Sequence, residues 1–225
     1  MTTRVLLVRH GVTVHAAEDR FASSDGVDLS DEGRMQARAL AERLAPEPLA
    51  AIYSSPVTRS MDTAFIVADP HGLTPVPAAG FEEIHHGHWE GLLRSEARDR
   101  FPEEFAAWES DPSTFSPRHG ETGLNVLARA LPALRGIVAR HAEQSVVIIS
   151  HKATIRLIVC SLLGFDPRGY RDRLDQHPCG LNILEFSEPA SARLVLYNDV
   201  THCEGVPERT ATERLAKWWN PVEAS

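Results

Sequence analysis

Hydrophobic residues are arranged along this chain in two alternating kinds of pattern. Arg4 to Val8 holds the unbroken apolar run Val5-Leu6-Leu7-Val8, and Val146-Val147-Ile148-Ile149 is a second, clearer one. Short, β-branched runs of this type are the mark of strands buried on both faces. Leu49 to Tyr53 is a third strand candidate. Between the runs, apolar positions recur at helical spacing. Met35, Leu40, Ala41 and Leu44 predict a helix over Ser30 to Leu44, with Ser30 and Gly33 at its start and Pro46 beyond its end. A second helix is expected from about Pro56 to Ala68, with the proline in its first turn. A third runs from Ala153 to Leu163 and stops at Gly164. Strands over Leu181 to Phe186 and Arg193 to Tyr197 then precede a helix around Thr210 to Trp218. The alternation predicts a three-layer α/β/α sandwich, with a mainly parallel sheet covered on both faces.

One stretch breaks the pattern. Ala79 to Glu121 is richer in His, Glu, Arg, Trp and Pro and has few strand runs. It reads as an inserted, partly helical cap within one domain spanning residues 1–225. The composition, 43% hydrophobic and 24% charged, is ordinary for a soluble globular chain. The net charge of −8 argues against nucleic acid or an anionic membrane as partner, and it means that any anion pocket must be a local island of positive charge. No apolar stretch approaches the roughly 20 residues of a membrane span. The N-terminus leads straight into the first strand without a signal-peptide layout. Cys160, Cys179 and Cys203 are odd in number and lack Cys-x-x-Cys spacing, so neither a disulfide framework nor a zinc site is implied. A reducing cytoplasm is the expected compartment. A homodimer is compatible with the sequence.

In open α/β sheets, ligands bind beyond the carboxyl ends of the strands. Arg9-His10 follows the first strand, Ser54 to Arg59 the second, and Ser150-His151 the Val146 strand. Each alone has an ordinary reading: a solvated loop histidine, a surface helix arginine. Arg9 is harder to dismiss, because a charge ending a fully apolar strand must find a partner or water. Three arrivals at one rim of the sheet point to phosphoryl chemistry, in which a neutral imidazole attacks phosphorus and guanidinium groups hold the phosphate. Such a site also needs an acid for the leaving group. The tract Phe81 to Gly91 offers carboxyls, and one lying beside Phe81 and Ile84 would have its pKa raised by burial. His85, His86 and His88 lack metal-ligand spacing, and no Cys or Asp in the tract completes a shell, so no metal and no cofactor is expected. Gly11, Gly87 and Gly91 read as sites of tight turning or close backbone approach. There is no P-loop or dinucleotide fingerprint.

With these pieces in place the chain resembles branch 1 of the histidine phosphatase superfamily, also called phosphoglycerate-mutase-like. The resemblance rests on Val8-Arg9-His10-Gly11-Val12-Thr13, Asp28 to Gly33, Tyr53 to Arg59, and Glu83-Ile84 with Gly87 to Gly91. It continues in Gly120-Glu121-Thr122, Ile149-Ser150-His151, and Asn198-Asp199 with His202, so that it spans nearly the whole chain in family order. It implies that His10 is the nucleophile that becomes phosphohistidine. Arg9, Arg59 and a cationic His151 would bind the phosphoryl oxygens, with the Thr13 hydroxyl contributing. Glu83 would protonate the leaving alcohol and then assist water. No metal would be needed.

The departures from the family pattern concern substrate. His15-Ala16 stands where the family's mutases carry Trp-Asn, and Ile84-His85-His86 where they carry Arg-His-Tyr. Lys152-Ala153 replaces a Gly-Gly, with Lys152 expected to face solvent in preference to an anion, and Arg118-His119 precedes the Gly-Glu-Thr segment. These features favour a phosphatase of a small phosphorylated metabolite. The alternatives are a phosphoglycerate mutase, a non-catalytic phospho-ligand sensor, or a phosphatase of phosphorylated proteins. Candidates for the pocket wall are His15, Arg20, Phe21, Ser23, Ser24, Glu82, His86, Trp108 and His119.

Overall fold

The unbroken apolar runs lie side by side at the centre of a six-stranded sheet. The structure, a computed structural model, describes residues 2–14, 20, 21 and 27–205. The expected helix around Thr210 to Trp218, and His15, Ala16, Ser23 and Ser24, lie outside the described residues. In chain order the strands are β1 (Thr3–Arg9), β2 (Leu49–Ser54), β3 (Val76–Pro77), β4 (Ser145–Ser150), β5 (Leu181–Glu188) and β6 (Ser191–Asp199). Their spatial order is β3-β2-β4-β1-β5-β6. The first four run parallel to one another, whereas β5 is antiparallel to β1 and β6 to β5. The sheet is thus mainly parallel with an antiparallel flank, in which the pairing of β6 with β5 follows from the short turn joining them.

The period of two within each run sorts the side chains to opposite faces. Val5 and Leu7 of β1 meet Ala130 and Leu134 of α5 (Gly123–Arg140) and Ile155 and Ile158 of α6 (Lys152–Leu162). Leu6 and Val8 meet Leu40 and Leu44 of α1 (Asp31–Leu44) and Ala64 and Val67 of α2 (Thr58–Ala68). Three layers result, as the alternation predicts. Ser30 caps α1 by accepting from the Gly33 amide at 3.1 Å. Pro56 stands before the Val57 N-cap of α2, not in its first turn. The hydrophobic pattern gave no warning of α5, in which Pro132 sits mid-helix and removes a backbone donor. Val126, Ala130, Leu134 and Ile137 nevertheless give it a continuous buried face.

Between β3 and α5 the chain leaves the sheet. It forms a 3-10 turn at Gly87–Trp89, then α3 (Arg94–Arg100) and α4 (Pro102–Ser110). These pack around their own nucleus of Trp89, Phe105 and Trp108, joined by Phe21. A short helix, α7 (Tyr170–Arg173), completes the set.

Candidate active site

Backbone register brings the three rim segments together. Arg9 of β1 pairs with Ser150 of β4, and Ser54 of β2 with Ile149 of β4. Past the strand ends, the His10 amide donates to the Ser150 carbonyl at 3.0 Å and the Ser55 amide to the Ile149 carbonyl at 2.9 Å. The first turn of α1 closes against this rim. A Cβ on Gly11 would lie 2.5 Å from the Gly33 carbonyl oxygen, and one on Gly33 would lie 2.0 Å from that of Val12. Neither glycine can be replaced without moving backbone.

Two imidazoles and one guanidinium form the centre. His10 Nδ1 lies 2.8 Å from the Gly11 carbonyl, which can only accept, so Nδ1 carries the proton. His10 Nε2 therefore presents a lone pair, and Arg59 Nε donates to it at 3.3 Å. Arg59 Nη2 lies 3.3 Å from His151 Nδ1, which must accept because guanidinium only donates. His151 Nε2 then donates to Ser55 Oγ at 2.8 Å and Ser60 Oγ at 3.2 Å. Both rings are buried and stand edge to face at 5.0 Å. Burial first, then the nearby cations, hold both imidazoles well below their usual pKa of 6.5. In the resting site His151 is accordingly neutral, because its Nδ1 receives Arg59 and burial penalises the charge.

Arg9 reaches the same pocket from β1. Its Nη1 donates to the Gln176 carbonyl at 2.8 Å, while its buried Nε has no hydrogen-bond partner among the described residues. Thr13 is half-buried in a bridge to Leu29, and its hydroxyl bonds none of the other site groups among the described residues. Glu83 is near enough to act electrostatically on both Arg9 and Arg59. Its carboxyl does not lie against Phe81 and Ile84, which turn into separate parts of the core. Instead it meets the start of α6, accepting from the Ala153 amide at 3.2 Å and the Thr154 amide at 3.3 Å, and from the Ile84 amide at 3.0 Å. His151 is the N-cap of α6 but supplies no capping side chain, so Glu83 takes that part.

Lys152, expected to face solvent, is half-buried. Burial, followed by Arg9 and Arg156, pushes its amine down to about 6. His86 packs against Phe21 with ring centroids 4.8 Å apart and the planes tilted by 59°, and is pushed down to about 4, mainly by burial. Trp108 is buried in the aromatic nucleus with Arg171 over its ring at 4.1 Å, whereas His119 is exposed at a positive φ of 64°. Arg20 is exposed, Phe21 is buried, and Glu82 accepts from the Gly80 amide at 2.7 Å. The three histidines of the tract go to different partners, His85 to Glu90, His88 to Glu104 and His86 to Phe21. Among the described residues no group of His, Cys, Asp or Glu could hold a metal ion.

Several groups that build the site are invisible to motif reading. Ser55 and Ser60 accept the His151 Nε2 proton, Gln176 holds Arg9, and Thr63 Oγ1 accepts from the Gly11 amide at 3.2 Å while donating to the Arg59 carbonyl at 2.8 Å. Only Ser55 had a signal, because it lies in the Tyr53 to Arg59 segment, whereas Ser60 falls one residue beyond it.

Comparison with known proteins agrees with this geometry. The family model of the Histidine phosphatase superfamily (branch 1) matches residues 5–200. Phosphoserine phosphatase 1 of Hydrogenobacter thermophilus is 35% identical over 163 residues, 72% of this chain and 77% of its own. Glucosyl-3-phosphoglycerate phosphatase of Mycolicibacterium vanbaalenii is 32% identical over 168 residues, 72% of this chain and 74% of its own. The solved mycobacterial glucosyl-3-phosphoglycerate phosphatase superposes with a TM-score of 0.80 at 26% identity, covering 88% of this chain and 99% of that one. Among the described residues no helix is long and apolar enough to cross a membrane. The chain belongs to branch 1 of the histidine phosphatase superfamily and is a hydrolytic phosphatase.

Proposed function

We propose that this phosphatase hydrolyses a small phosphomonoester metabolite without a metal, in two steps through a phosphohistidine on Nε2 of His10. The observation that carries the reading is the His10 ring itself, with Nδ1–H tied to the Gly11 carbonyl and the Nε2 lone pair facing Arg59. In the first step the Nε2 pair attacks phosphorus as the ester P–O bond breaks, and Glu83 gives its proton to the departing oxygen. Water then attacks the phosphoryl group, Glu83 takes its proton, and the P–N pair returns to Nε2. The products are an alcohol and inorganic phosphate. Arg59 and Arg9 stabilise the equatorial oxygens, with His151 donating only after Arg59 has released its Nδ1 and the ring has gained a proton. In the resting site Arg59 occupies the lone pair it must give up, and incoming phosphate oxygens are better acceptors for it.

Hydrolysis rather than mutase chemistry is favoured at Ile84. That side chain is buried against Val126, Leu157 and Tyr170, so the position holds no cation for a substrate. We assign Ala79 to Glu121 as the cap of a single domain, since it delivers Glu83 and since Arg94 of α3 acts electrostatically on Lys152 at the start of α6. The three cysteines are free thiols, which suits a reducing cytoplasm.

The test is phosphate release in EDTA from a panel of phosphoserine, phosphoglycerate esters, sugar phosphates and nucleotides. An alkali-stable, acid-labile phosphoenzyme should be trapped by rapid quench and be missing in His10→Ala. Turnover that needs added metal, or that survives His10→Ala, overturns the proposal.

A further inference from the structure

Residues 80–83 lie in no helix or strand, so their carbonyl groups have no ladder to join. All four are nonetheless satisfied, and every donor is a side chain. Ser150 Oγ donates to the Phe81 carbonyl at 2.8 Å and Thr154 Oγ1 to that of Glu82 at 2.6 Å. The rest fall to one guanidinium. Arg129 Nη1 donates to the carbonyls of Gly80 at 2.9 Å and Glu82 at 3.0 Å, and Nη2 to that of Glu83 at 3.0 Å.

The guanidinium is itself locked. Glu121 receives it in the bidentate manner, Nε to Oε1 at 2.9 Å and Nη2 to Oε2 at 2.8 Å. The same Glu121 Oε2 accepts from the His85 amide at 3.1 Å, fixing the chain two residues beyond Glu83. Bonds to Glu121 and Arg129 therefore pin the backbone on both sides of the Glu83 carboxyl. That carboxyl touches α6 only through amides and a hydroxyl whose positions are set by the helix. The aim of Glu83 at the rim thus depends on where residues 80–85 are held.

We propose that Arg129, braced by Glu121, is a positioning residue that aims the Glu83 carboxyl at the leaving-group oxygen. The inference rests on the assignment of Glu83 as the acid made above. A planar fork with three nitrogens is needed to meet three carbonyls and a carboxylate at once, and a lysine ammonium has one nitrogen to offer.

The reading has a signature that a merely structural role lacks. An alkyl phosphate needs its leaving oxygen protonated, whereas a nitrophenyl phosphate leaves well without a proton. Single-turnover phosphorylation of His10 is measured with both esters in Glu83→Gln, Arg129→Met, Arg129→Lys and Glu121→Gln, alongside melting midpoints. Glu83→Gln is expected to slow the alkyl ester roughly a hundredfold or more and the aryl ester far less. Arg129→Met and Arg129→Lys should reproduce that selectivity at roughly tenfold or more, with Glu121→Gln in the same direction and smaller, since it keeps one hydrogen bond. If Arg129→Met fails to fold, Glu121→Gln carries the comparison. Equal slowing of both esters in the Arg129 and Glu121 variants, with Glu83→Gln still selective, overturns this inference alone. Equal slowing in Glu83→Gln overturns the assignment of Glu83 and this inference with it.

Discussion

The rim of the sheet and the segment that carries Glu83 contribute to one site by different means. His10 and His151 stand just past the ends of β1 and β4, whose spacing is set by backbone register, and Arg59 meets them from the first turn of α2, which follows β2. Glu83 comes from irregular chain whose carbonyls are all held by side chains, and the turn and helices that follow are packed on an aromatic nucleus apart from the sheet. A geometry inherited from a buried parallel sheet is over-determined by many backbone bonds. One held by a few side chains fails when any of them is lost. The rim should therefore lose function without losing the fold, while the off-sheet segment should lose both together.

The sharpest way to break this comparison is to remove one group from each region. Arg59→Ala deletes the donor shared by His10 and His151, and should lower kcat/KM by roughly a hundredfold to a thousandfold while the melting midpoint hardly moves. Trp89→Ala empties the centre of the aromatic nucleus, where the indole is fully buried. It should cost about 3–5 kcal/mol in urea unfolding, with activity falling as the Glu83 segment loosens. Equal losses of stability in the two variants would mean that the regions do not differ in this way.

A smaller effect distinguishes the regions by pH. His10 and His151 are neutral in the fold and held well below 6.5, whereas the unfolded chain protonates them near that value. Below pH 6.5 the unfolded state therefore binds more protons, and stability falls as pH drops; above it these two groups contribute nothing. Each can add a slope of up to about 1.4 kcal/mol per pH unit. Urea midpoints measured across roughly pH 7.5 to 5, above the range where most carboxylates titrate, should fall less steeply in the His10→Asn/His151→Asn double variant. An unchanged slope would mean that the rim histidines titrate alike in the folded and unfolded chain. His86→Asn supplies the matching measurement for the aromatic region, since that ring is pushed down to about 4.

The same division explains what could be read from the chain. Arg9, His10, Arg59 and His151 were legible because apolar runs announce strands, and strand ends in such a sheet share a rim. Glu83 was not separable from Glu82 or Glu90 by residue chemistry; the family pattern singled it out. Its brace was out of reach, since Arg129 lies 46 residues away on a helix that Pro132 disguised. Lys152 was misjudged for a related reason, because burial at a helix start depends on what packs over it from elsewhere in the chain. The histidine tautomers needed atomic positions, as each is set by a carbonyl or guanidinium that the sequence does not place.

The finest test of the comparison concerns redundancy at the rim. His151 Nε2 donates to two hydroxyls, Ser55 Oγ at 2.8 Å and Ser60 Oγ at 3.2 Å, and Ser55 and Ser60 are fully buried. Ser55→Ala removes the shorter bond and leaves the longer one to receive the Nε2 proton. The cost should be that of one neutral hydrogen bond, about 0.5–1.5 kcal/mol, seen as a threefold to tenfold drop in kcat by roughly the usual conversion of free energy to rate. The double variant Ser55→Ala/Ser60→Ala strands a buried N–H and should cost about 1–3 kcal/mol more. Nitrogen chemical shifts of the His151 ring would report the tautomer directly, unchanged in both variants because Arg59 still donates to Nδ1. A hundredfold loss from Ser55→Ala alone would show the opposite arrangement: a rim held by one side chain at a time, as sensitive as the segment that delivers Glu83.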